Sequence, residues 1–148
     1  MVAGPGINAQ EEQLLEVQSM IVRGHMLLDD GDPAQASRLF KKAKEIAESL
    51  QSIQLKAKAN AGLAAAYRDQ DTMRRASGTL FEVAAHLFAI SGDTSDRINC
   101  IEEAANVYLR QNQRADALRV LEAYDKAARK AGTPPVFEQR IQQIRAMT

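Results

Sequence analysis

The residues best suited to chemistry are few and scattered. The only histidines are His25 and His86, and the only cysteine is Cys100. A metal centre wants several Cys, His or carboxylate ligands at set spacing, and neither histidine has such companions nearby in the sequence. "DDGD" at 29–32 has the acidity of a calcium loop but not its 12-residue ligand frame or closing glutamate, and helix capping explains it better. "GPG" at 4–6 follows no strand and leads into no Gly-Lys-Ser/Thr, so it is not a phosphate loop. The densest basic runs are "KKAK" at 41–44 and "RR" at 74–75. Glu45 and Glu48 follow the lysines, which makes a mixed, solvated face. No Ser, Cys or Lys has a base paired with it nearby. These residues predict no catalytic group, no metal and no cofactor, so function is to be sought in shape and surface.

The totals point the same way. The chain has 148 residues, enough for one domain with a real core, and 45% of them are apolar. Lys and Arg number 19 against 19 Asp and Glu, without the basic excess expected of a nucleic-acid or acidic-membrane binder. No apolar run approaches the roughly 20 residues that span a bilayer, and "MVAGPGINAQEEQ" has no charged or apolar signal region. Cys100 lies beside the apolar stripe at Ile101 and reads as a buried small hydrophobe. With no disulfide available within the chain, the expected setting is cytoplasmic.

The elements are helical throughout. Residues 1–8 read as a flexible N-terminus and 9–148 as one domain. Apolar residues recur at spacings of three and four over about 9–30, 33–50, 53–69, 72–91, 95–111, 114–131 and 134–147. In the fourth segment the stripe is Met73, Ala76, Leu80, Val83, Ala84, Leu87 and Ile90. Asn8 and Asp32 are N-cap candidates, and Pro33 suits a first turn. Gly31, Gly92 and Gly132 mark helix ends, and Asn112 can take the same left-handed role. No segment alternates like a strand, so the class is all-α.

A spacing repeats within the chain. The set Gly24, Leu27, Ala36, Phe40 and Ala43 shifts by 40 onto Ala64, Tyr67, Ala76, Leu80 and Val83. A further shift of 41 lands on Ala105, Tyr108, Ala117, Leu121 and Tyr124. Small residues permit close helix crossing, and the bulky ones fill around them.

These residues, in the segments "GHML…ASRLFKKA", "AAAY…ASGTLFEV" and "ANVY…ALRVLEAY", resemble the tetratricopeptide repeat over residues 17–131. The period of 40–41 exceeds that family's usual 34. Met20, Asn60 and Ile101 stand at its tryptophan-like position, and Val83 and Tyr124 at its last small one. "DRINCIEEAANVYLRQNQRADAL" is similar to the longer hairpins of the soluble NSF attachment protein family.

The resemblance implies a right-handed α-solenoid of three antiparallel helical hairpins, at about 9–50, 53–91 and 95–131, with a capping helix at about 134–147. It also implies a non-enzymatic protein–protein interaction module, an adaptor or scaffold. The concave positions carried over are Gln18, Ile21, His25 and Leu28, then Lys58, Ala61, Ala65 and Arg68, then Asn99, Glu102, Asn106 and Arg110. Ile21 and His25 stand where some members clamp a C-terminal carboxylate with Lys and Asn, so that specificity is not implied. The expected partner is another protein, presenting an extended peptide or amphipathic helix with an apolar anchor and a few acidic contacts. The alternatives are a regulatory, peptide-sensing segment of a larger protein, or a homo-oligomer formed through the array ends. No nucleic-acid partner and no membrane insertion are expected.

Overall fold

The computed structural model describes residues 8–147. Seven helices follow in order: α1 (Ala9–Asp29), α2 (Pro33–Ser49), α3 (Ile53–Arg68), α4 (Arg74–Ser91), α5 (Thr94–Arg110), α6 (Arg114–Lys130) and α7 (Glu138–Arg145). There is no strand among the described residues. Each helix packs on its successor, and α1 also meets α3. The expected flexible segment lies outside the described residues, except for Asn8.

Local chemistry sets the helix ends. The Asn8 side chain accepts from the Glu11 amide at 2.8 Å, and Asp32 does the same for Gln35 at 3.1 Å. Five of the six junctions then share one geometry. At each, a residue with φ between 58° and 81° (Gly31, Gln51, Gly92, Asn112 or Gly132) lets the next amide bond back to a carbonyl five residues earlier. Asp32 to Leu27 at 2.8 Å and Gln113 to Tyr108 at 2.8 Å are examples. Gly31, Gly92, Gly132 and Asn112 match expectation, whereas Gln51 has no sequence signal for this conformation.

The α3–α4 junction is the exception, and it overturns one expectation. Residues 71–73 form turns without a left-handed residue, so α4 begins at Arg74 rather than 72. Its buried face is Ser77, Phe81, Ala84, Ala85 and Phe88, while Val83 is 40% and Ile90 55% exposed. Ala76 and Leu80 are only half-buried. The repeat therefore runs through Ala36, Phe40, Ala43 and Ala47, then Ser77, Phe81, Ala84 and Phe88, then Ala117, Leu121, Tyr124 and Ala128. The second copy lies one residue later than the sequence shift places it. The close crossing survives in this register: the buried Ser77 hydroxyl donates to the Ala64 carbonyl at 2.7 Å.

The last helix is also corrected, from 134–147 to Glu138–Arg145. Pro135 disfavours helical backbone at Pro134, which delays the start. The buried Asp125 carboxylate on α6 accepts from the Val136 amide at 2.8 Å and the Phe137 amide at 3.0 Å. That clamp sets Phe137, Ile141 and Ile144 against the rest of the core.

Two rings act as wedges. Phe40 of α2 is fully buried, and a Cβ built on Gly24 of α1 or Gly62 of α3 would lie 2.6 Å or 2.2 Å from its ring. Tyr108 of α5 lies against Gly78 of α4, where a Cβ would sit 2.7 Å away. The Tyr108 hydroxyl donates to Glu82 of α4, which also accepts two bonds from Arg119 of α6 at 2.8 and 3.0 Å. These contacts fix the rotation of α5, and with it one wall of the candidate site.

Candidate functional site

A groove of about 560 Å³ runs across α1, α3 and α5. Its apolar base is Ile21 of α1, Phe81 and Phe88 of α4, and Cys100 of α5, all nearly buried. Leu28, Ala61 and Ala65 form the half-buried walls. Helix spacing explains the alignment: Ala61, Ala65 and Arg68 succeed one another by four and three residues, so they share a face.

Eight of the twelve expected positions meet in this groove: Ile21, His25, Leu28, Lys58, Ala61, Ala65, Arg68 and Asn99. Gln18, Glu102, Asn106 and Arg110 do not line it. The departure is concentrated on α5, whose groove face is Asp96, Asn99, Cys100 and Glu103 rather than Asn99, Glu102, Asn106 and Arg110. Asn106 instead accepts a hydrogen bond from Arg140 beyond α6, at 3.4 Å.

The groove's rim is acidic on balance. Asp29, Asp69, Asp96 and Glu103 line the groove against only two cationic side chains, Lys58 and Arg68. Arg68 is already committed: it donates to Glu103, lies 3.9 Å from Asp69, and stands 5.7 Å from the Phe81 ring centre. Carboxylates therefore outnumber cationic side chains along the groove. Asp96 and Glu103 are three before and four after Asn99, so helix spacing places all three on one face, and packing turns that face to the groove. Phe81 and Phe88 were hidden by the shifted register of α4.

The titratable groups here are arranged for packing. His25 lies edge-on to Phe40 with ring centres 5.1 Å apart. Burial lowers its pKa below the ordinary 6.5, and nearby Asp29 partly opposes that. Burial pushes the Cys100 thiol up to about 12, helped by Asp96 and Glu103, which suppresses the reactive thiolate. Among the described residues no group of three or more His, Cys, Asp or Glu could hold a metal ion. No helix among them is long and apolar enough to cross a membrane.

Comparison with protein-family models, with curated proteins and with solved structures finds no match for this chain.

Proposed function

We propose that this protein is a non-enzymatic protein-binding module whose groove takes an extended peptide or a short amphipathic helix. The proposed architecture is a tetratricopeptide-like, right-handed solenoid of three antiparallel hairpins with α7 as its cap. The α1–α3–α5 face would then be the concave one. The proposed setting is cytoplasmic, where a lone buried thiol stays reduced.

The observation that carries the reading is the groove's composition. An apolar base supplied by Ile21, Phe81 and Phe88 lies beneath a rim where carboxylates outnumber cations. A base of this kind suits an aliphatic or aromatic anchor, because burying one such side chain is worth about 1.5–3 kcal/mol. The rim adds selectivity by favouring Lys or Arg beside the anchor.

Peptide display with random sequences tests this. Selected peptides should pair an apolar residue with neighbouring Lys or Arg, and Ala61→Arg should abolish their binding. Asp96→Lys/Glu103→Lys should shift the selection toward acidic neighbours. Binding that survives Ala61→Arg undiminished rules the groove out as the site.

A further inference from the structure

We propose that the protein forms a symmetric dimer through the outer face of α1, with two α1 helices packed antiparallel. This surface is separate from the groove, and the inference does not rest on the peptide-binding reading. On α1, Val17, Met20, Ile21 and Gly24 are buried against the protein. The opposite side carries Leu15, Val22 and Met26, which are 52%, 59% and 58% exposed. With Ser19 they recur at spacings of four, three and four, the seam by which one helix packs along another.

Charge identifies the occupant as a second copy. In an antiparallel pair with its twofold axis between residues 20 and 21, Leu15 meets Met26 of the second copy and Ser19 meets Val22. The flanking positions then bring Glu16 beside Arg23 of the second copy, and symmetry makes this contact twice. Glu16 and Arg23 are both exposed, and neither has an ion-pair partner among the described residues. A parallel pair would set Arg23 beside Gln18 and lose that complementarity. Beyond the apolar layers the antiparallel arrangement places Glu12 near Asp29 of the second copy. That like-charge contact confines the interface to the central two turns on each side of the axis. The same face of α1 is used by both copies, so the contact closes as a dimer rather than extending as a filament.

Sedimentation equilibrium on the full chain, from about 5 to about 500 μM, tests the proposal. The expected result is a monomer–dimer equilibrium abolished by Val22→Glu, with a circular-dichroism melt unchanged at concentrations where the wild type is monomeric, because Val22 lies on the surface. Glu16→Arg alone and Arg23→Glu alone should each weaken the dimer on the order of tenfold, since each turns two attractive contacts repulsive. Mixing those two variants should restore association, because each then supplies the charge the other lacks. The proposal is overturned by a wild-type monomer across the whole range. It is equally overturned by a dimer that tolerates Val22→Glu, or by charge variants that fail to rescue each other.

Discussion

Gly62→Ala should destabilise the protein, although the same change in a helix usually stabilises it. The added Cβ would lie 2.2 Å from Cε1, 2.4 Å from Cδ1 and 2.6 Å from Cζ of Phe40. Ordinary carbon contacts need about 3.5 Å or more, so the ring would have to retreat by roughly an ångström. It has little room to move, because Gly24 of α1 also lies close against it and it has no exposed surface. Overpacking of this kind costs about 1–3 kcal/mol, and a doubly confined ring belongs near the upper end. Alanine returns about 1 kcal/mol of helix propensity. The net loss is about 2 kcal/mol, a fall of about 4–8 °C in Tm for a chain of this size. Thermal and urea unfolding followed by circular dichroism measure it. The control is Phe40→Leu, which vacates the slot: in that background Gly62→Ala should be neutral or stabilising by up to about 1 kcal/mol. If Gly62→Ala raises Tm with Phe40 intact, the wedged-ring reasoning is wrong.

Other substitutions probe separate parts of the structure. Asp125→Ala removes the acceptor for the Val136 and Phe137 amides, and should cost about 2–3 kcal/mol while raising hydrogen exchange at Ile141 and Ile144. Equal exchange in both proteins would show that α7 is held by its side chains alone. Gln51→Gly should stabilise by about 0.5–1 kcal/mol, because Gln51 has φ 58° where glycine is unstrained; a lower Tm would contradict this. His25 has a lowered pKa in the folded state, so the unfolded chain takes up a proton that the native one resists. Stability should therefore decline as pH falls below 6.5, and His25→Gln should flatten that slope; an unchanged slope would place the effect elsewhere.

The all-helical class and most helix ends were legible because their punctuation is local. Asn8, Asp32 and Pro33 start helices through their own side chains, and Gly31, Gly92, Gly132 and Asn112 end them by tolerating positive φ. Gln51 was not legible: its left-handed backbone comes from closing the α2–α3 junction, not from any preference of glutamine. The face of α4 was misread because "LFEVAAHLFAI" is apolar on nearly every side, so periodicity cannot choose between adjacent stripes. The turns at 71–73 make that choice instead. On α1 and α3 seven of the eight expected positions reach the groove, since regular helix spacing carries them there. On α5 only Asn99 does, because Tyr108 against Gly78 and the Glu82 contacts set a rotation that sequence spacing does not encode.

The most direct test of the proposed function is an amide NMR titration of the protein with a displayed peptide containing an apolar anchor and adjacent Lys or Arg. Shift changes should concentrate at Lys58, Ala61, Ala65 and Asn99, which share the groove across α3 and α5. Changes gathered instead at Lys41, Lys44 and Thr79, around the separate depression between α2 and α4, would contradict it.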